Sequence, residues 1–161
     1  MSAMRPVDIG FLDTAPLRIT RAGRVDAPAD RVFDLIGPAP ARWGDWVPGF
    51  SHDGRWLTPG PPSVGGRREV HAMGTRFVES VIGYEQGRRF AFRIDEADRM
   101  PGVRAFAEDY VLTPIGERAC SLTWTMALDG VVPARILRPA LGPGLGVMLR
   151  RMCSRLAAAA R

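Results

Sequence analysis

The spacing of apolar residues changes between two and 3.6 along this chain, and the changes mark out its elements. Residues 17–26 predict a strand, with Ile19 and Val25 set among polar neighbours. Pro28 then suits the first turn of a helix, where an N–H would have no partner to lose. Asp30 lies near the positive end of the helix dipole, and Val32, Phe33 and Ile36 form one apolar stripe. Gly37–Pro38 stops that helix. A second short helical piece, about 39–46, sets Trp43 and Trp46 three apart on one face before Pro48–Gly49 ends it. Residues 50–57 predict a second strand, leading into the turn-rich run 58–66, which is long for a plain hairpin. From Arg67 five strands follow at the even spacing of a meander: 67–73, 75–84, 89–95, 104–114 and 119–128. Tight connections near Gly74, Gln86–Gly87 and Ile115–Gly116 suit antiparallel hairpins, whereas 96–103 is longer and more polar.

The last segment is helical: Leu141, Leu145, Met148, Leu149, Met152, Cys153 and Leu156 make one apolar stripe, and Arg150, Arg151, Ser154, Arg155 and Arg161 fall away from it. Pro139, Gly142, Pro143 and Gly144 place the start of its regular part near residue 144, after a kinked lead-in. Residues 1–15 show no sustained period and read as a flexible arm ahead of a single domain over 16–161. The class is therefore α+β: a curved seven-stranded antiparallel sheet around a long C-terminal helix, with two short helices between strands 1 and 2. A strongly bent sheet closing on one helix cannot fill the space between them, so this order of parts predicts a lined cavity.

Composition narrows the function classes. The 161 residues fit one domain with a sizeable core. Cys120 and Cys153 are far apart in sequence, which suits reduced core thiols better than a disulfide framework. No run reaches the roughly 18 continuous apolar residues of a membrane span, and Asp8 and Asp13 interrupt the only apolar run near the N-terminus, so a cytoplasmic protein is expected. The net charge of +5 invites a nucleic-acid reading, but all 22 basic residues are Arg, with no Lys, and they are scattered. A solvated arginine shell is the expectation, with no specific nucleic acid partner and at most weak association with anionic surfaces. A monomer or a homodimer fits equally.

Several stretches resemble the START-like superfamily, also called SRPBCC or polyketide cyclase/dehydrase-like, whose fold is the helix grip. They are Val25-Asp-Ala-Pro-Ala-Asp-Arg-Val-Phe-Asp-Leu-Ile36, Val64-Gly-Gly-Arg-Arg68, the hairpin from Phe77 to Phe92, and Tyr110-Val-Leu-Thr-Pro-Ile-Gly116. Together they span about residues 17–160. The resemblance implies a deep apolar cavity between sheet and terminal helix, serving lipids, polyketides or similar flat hydrophobic molecules. It implies no single activity, since such proteins include carriers, sensors and aromatase/cyclases.

Alternate strand residues share a face, which groups Phe77, Glu79 and Val81; Phe90 and Phe92; Phe106, Glu108, Tyr110 and Leu112; and Trp124 and Met126. If these faces line the interior, Glu79 and Glu108 are carboxylates in apolar company, with pKa values pushed into a useful range for acid–base work. The alternative for Glu79 is an inverted face and an outer partner such as Arg93. Tyr110 and His71 are candidate helpers to Glu79 in proton transfer. Trp43, Trp46, Phe77, Phe92, Trp124, Met126, Met148 and Met152 are candidate ligand contacts, methionine being adaptable to varied apolar guests. Glu69 and His71 share a face but lack a third metal ligand, so neither a metal nor another cofactor is expected. The leading expectation is a binding protein for a small hydrophobic molecule, as carrier or sensor. The alternatives are a polyketide cyclase/dehydratase using Glu79 as acid or base, and an interaction module meeting anionic membrane or protein through the arginine face of the last helix.

Overall fold

The structure is a computed structural model that describes residues 2–161, leaving aside the side chains at positions 140 and 142, Gly142 of the expected lead-in among them. The elements run β1 (Ser2–Ala3), α1 (Phe11–Thr14), β2 (Leu17–Val25), α2 (Ala29–Ile36), a 3-10 turn (Pro40–Arg42), α3 (Trp43–Trp46) and β3 (Arg55–Trp56). They continue with β4 (Arg67–Ala72), β5 (Thr75–Glu85), β6 (Arg89–Ala97), β7 (Val103–Pro114), β8 (Cys120–Gly130) and α4 (Ala134–Ala159). The sheet is antiparallel in the order β2-β8-β7-β6-β5-β4-β3, with β1 added on the free length of β6. Bulges at Val78/Glu79, Val81/Gly83 and Val103/Ala105 bend it around α4, giving the α+β helix grip.

Alternation decides what faces the helix. Leu17, Ile19 and Val25 of β2, Phe90, Phe92 and Ile94 of β6, Tyr110 and Leu112 of β7, and Cys120, Leu122 and Trp124 of β8 all bury on the concave side with Leu149, Met152 and Leu156 of α4. Cys120 and Cys153 are free and buried there, and burial pushes both thiols up to about 11, which keeps them protonated. The β4–β5 hairpin turns on Met73 and Gly74, both at positive φ (49° and 71°), so the register of the pair is fixed by a two-residue loop.

Three boundaries differ from the sequence reading. Residues 2–15 are not a loose arm: β1 pairs with β6, and Val7, Phe11 and Leu12 cover the convex face. The outward positions there, Ala91, Ala105, Ala107 and Ala127, leave an apolar strip that needs a lid, and the Arg93 guanidinium ties the lid down by donating to the Val7 carbonyl at 2.9 Å. This strand also raises the count from seven to eight. The strand expected over 50–57 shortens to Arg55–Trp56, with Phe50 keeping an isolated bridge to Ala72; at Gly54 the chain presses against the Pro40 carbonyl, where a Cβ would come within 2.5 Å of the oxygen. Helix α4 begins at Ala134 rather than near 144 and carries Pro139 and Pro143 inside it. Each proline removes one i→i−4 bond, so the first half of α4 is the less firmly bonded half.

Helix and sheet come close at Gly23 of β2: a Cβ there would lie 2.8 Å from Cys153 Sγ. Gly23→Ala is therefore expected to cost about 1–3 kcal/mol by overpacking, although alanine normally suits a strand no worse than glycine. Thermal melts should show most of that loss recovered when Cys153→Ala is added.

Candidate functional site

The concave face holds polar chemistry in an apolar wall. Counting back from the β4–β5 turn pairs Arg68 with Glu79, Val70 with Phe77 and Ala72 with Thr75. Arg68 and Glu79 thus face inward together, where Arg68 Nε donates to Glu79 Oε2 at 2.6 Å with both side chains buried. The guanidinium lies over Trp43, Phe90 and Phe92, at 4.1, 4.6 and 4.9 Å from the ring centroids. Its Nη1 and Nη2 are buried with no hydrogen-bond partner among the described residues, as are the indole nitrogens of Trp46 and Trp124. All four of these atoms are donors, and leaving a buried donor unmet costs about 1–3 kcal/mol.

Across the sheet, Tyr110 donates its hydroxyl to Glu108 Oε2 at 2.5 Å. Tyr110 stacks on Trp124 and Phe92, each at 6.4 Å, and meets Trp43 and Trp46 edge-on at 5.6 and 5.8 Å. Burial pushes the Glu108 carboxyl up to about 7; the Tyr110 hydroxyl opposes that rise and the neighbouring Glu79 adds to it. Trp124 also lowers Glu108 slightly, although its N–H makes no bond within 3.5 Å. Burial likewise raises Glu79, against the pull of Arg68, and burial beside Glu108 holds the Tyr110 phenol well above its usual range.

Accessibility is not uniform over this face. It rises along β8 from Leu122 (0%) through Trp124 (3%) to Met126 and Leu128 (8% each), and along β7 from Tyr110 (2%) to Phe106 (9%), with Glu108 partly exposed between them. Helix α4 shows the same gradient: Leu156 and Met152 are fully buried, whereas Leu137, Leu141, Leu145 and Met148 are half-covered. The grip is closed and packed where Trp43, Trp46, Arg68 and Phe90 meet, and cover thins toward the first half of α4; the cavity expected between sheet and helix is not among the hollows described, none of which is lined by Trp43, Phe92, Tyr110 or Trp124. Glu108 stands on the boundary.

The residues singled out from the sequence divide accordingly. Glu79, Phe92, Tyr110, Trp124, Trp43, Trp46 and Met152 are brought together but closely packed; Phe77, Glu108, Met126 and Met148 are the more accessible ones. His71 lies on the opposite face from Glu79, hydrogen-bonded to Asp53 at 3.0 Å, so it cannot assist there. The suggested outer partner of Glu79, Arg93, instead bonds Asp95 at 2.8 Å and the Val7 carbonyl. Arg68 escaped the sequence reading, although its alternation with Val70 and Ala72 already placed it on the apolar face of its strand. The two largest hollows described lie away from this chemistry, one of about 740 Å³ beneath residues 3–9 on the convex face and one of about 790 Å³ between β2 and α4. No helix among the described residues is long and apolar enough to cross a membrane.

Comparisons agree with this architecture. The chain is 32% identical over 151 residues to uncharacterised proteins of Mycobacterium tuberculosis and Mycobacterium bovis, covering 93% of this chain and 88% of theirs. A START superfamily protein from Mycobacterium smegmatis superposes with a TM-score of 0.69 at 15% identity, over 86% of this chain and 96% of that one. The Zhui aromatase/cyclase from a Streptomyces species gives 0.66 at 15% identity, over 89% and 92%. A family profile described as polyketide cyclase / dehydrase and lipid transport matches residues 16–161, and the chain belongs to that family.

Proposed function

We propose that this protein binds a small apolar molecule bearing carbonyl or carboxylate oxygens, as a carrier or sensor, between the concave face and the first half of α4. The observation that carries this reading is that the unpartnered buried atoms of the interior are all donors: two guanidinium nitrogens and two indole nitrogens, set among aromatic rings beside the Glu79 and Glu108 carboxyls, among the described residues. A hydrocarbon would leave those donors unmet, while an oxygen-bearing guest that parts the packing at the closed end, around Trp46 and Arg68, would satisfy them and lay its rings on the aromatic wall. The family, with its lipid transport and polyketide members, supports the same class of guest. Quenching of tryptophan fluorescence by naphthoate and by naphthalene tests it. Naphthoate is expected to bind saturably and about tenfold or more tighter, with the preference gone in Arg68→Met/Glu79→Leu; equal affinity, or no saturable binding of either, defeats the reading.

Glu108 favours a second reading, proton transfer on a poly-β-ketone. A carboxyl pushed up to about 7, partly exposed and hydrogen-bonded to Tyr110, is poised to act as base and acid near neutrality. Glu79 is less suited, being closed in behind its bond to Arg68. In this reading Glu108 takes the proton from a carbon between two carbonyls, the electron pair moves onto oxygen, and the Arg68 charge stabilises the enolate. The likeness to an aromatase/cyclase structure supports it. Loss of deuterium from the central carbon of benzoylacetone should be accelerated by the protein and slowed by Glu108→Gln but not by Glu79→Gln. Equal effects of the two substitutions would remove Glu108 from the role.

A further inference from the structure

The terminal helix concentrates the charge of the whole chain. Residues 131–161 contain six of the 22 arginines and none of the 17 acidic residues, so this segment is +6 and the rest of the chain −1. Among the described residues none of the six, Arg135, Arg138, Arg150, Arg151, Arg155 and Arg161, is paired with a carboxylate, whereas arginines elsewhere are widely paired. The outward face of α4 also changes character along its length. Ile136, Pro139, Pro143 and Val147 share one exposed side over three turns, and Arg150, Arg151 and Arg155 take over from there. Val131 and Val132, in the connection before the helix, extend the apolar part: they are 61% and 42% exposed, with Ile136 at 55% and Val147 at 42%.

Scattered exposed apolar residues need no explanation, but two on one side of α4 and two in the connection leading into it, continued by an unpaired cationic face, form a two-part surface. We infer that the first half of α4, with the connection before it, docks on an anionic lipid bilayer, Val131, Val132, Ile136 and Val147 entering the interface while Arg150, Arg151 and Arg155 meet the headgroups. Charge complementarity selects an anionic partner, and the apolar half selects a bilayer over a soluble polyanion, which offers valine and isoleucine nothing to enter. The same half-helix covers the concave face with Leu137, Leu141, Leu145 and Met148, so a guest leaving at this end would meet acyl chains rather than water.

Co-sedimentation of the full chain with vesicles of phosphatidylcholine alone, or of phosphatidylcholine and phosphatidylglycerol in equal parts, tests the docking. Binding is expected only to the anionic vesicles, weakened but not abolished by high salt. Arg150→Glu/Arg151→Glu should lower affinity by about thirtyfold or more, at about 1 kcal/mol for each arginine near the surface. Ile136→Ser/Val147→Ser should leave binding that salt removes completely, and Arg88→Glu, in the turn between β5 and β6 rather than on α4, should have little effect. Circular dichroism and melting temperature establish that each variant is folded. Absence of binding to anionic vesicles at low salt overturns the proposal, as does a loss in Arg88→Glu equal for each charge reversed to that in Arg150→Glu/Arg151→Glu. Binding of polyglutamate as tight as that of the vesicles, with Ile136→Ser/Val147→Ser inert toward both, also overturns it, in favour of an acidic protein partner.

Discussion

Arg68→Met is expected to destabilise the fold by about 3–5 kcal/mol, the range for removing one partner of a buried ion pair. Methionine keeps most of the volume and the apolar stem, so the loss measures the stranded Glu79 carboxylate rather than a hole. That carboxylate is 2% exposed and already raised by burial even with Arg68 beside it. Without the guanidinium it must take a proton to stay inside, so the destabilisation should grow as pH rises. Arg68→Met/Glu79→Leu should recover most of the loss, because replacing a buried pair by apolar groups is often neutral or stabilising by about 1–4 kcal/mol. Urea unfolding of the wild type, both single variants and the double variant closes the cycle. Additive effects of the two single substitutions would mean that the pair is not coupled as its 2.6 Å contact requires. A stable double variant also separates folding from function, since it keeps the aromatic wall but lacks the cation proposed to hold a guest's oxygen.

Much of this was legible in the chain before any coordinates. Period-two alternation groups Phe77 with Glu79, and Tyr110 with Glu108, but leaves open which way the face of Glu79 turns; the structure turns it inward with Phe92, Tyr110 and Trp124, where one slip of register would send every one of them to solvent. The Arg68–Glu79 pair was not legible: strands over 67–73 and 75–84 around Gly74 would set Arg68 opposite Ser80, and it is the two-residue turn on Met73–Gly74 that sets it opposite Glu79. An arginine beside another arginine, at Arg67–Arg68, also reads as surface. The packing of residues 2–15 was not legible. Its cause is a strip of alanines drawn from three different strands, and no local window contains it. The early start of α4 defeats propensity in a similar way: Pro139 and Pro143 argue against helix, yet Leu137, Leu141 and Leu145 carry the four-residue repeat back to the first turns, and that inner stripe prevails. How closely the helix packs on the sheet was not legible for a further reason: alternation gives the side a residue faces but not how far the opposing helix stands from it, so the chain foretells a hollow where Trp43, Trp46 and Arg68 fill the space.

Glu108→Gln should make stability depend less on pH, and the sign of that change discriminates the site's electrostatics from ordinary acid denaturation. A carboxyl at about 7 in the folded chain and 4.5 in the unfolded one binds its proton more tightly when folded. Between those values the native state holds the proton and the unfolded state does not, so stability falls as pH rises; the contribution is fully present below about 4.5, is lost by about 7, and changes no further above that. At about 1.4 kcal/mol for each pH unit the window is worth about 3 kcal/mol. A salt-bridged carboxylate would do the reverse, adding stability with rising pH. Glutamine occupies the same space, still accepts from the Tyr110 hydroxyl, and does not titrate. The stability of Glu108→Gln relative to the wild type should therefore rise by about 3 kcal/mol between pH 4.5 and 8 in urea unfolding, with groups unaffected by the change cancelling in the difference. A difference that stays flat across the window would mean that the Glu108 carboxyl is solvated in the folded chain, and with it would go the case for a base poised near neutrality on the concave face.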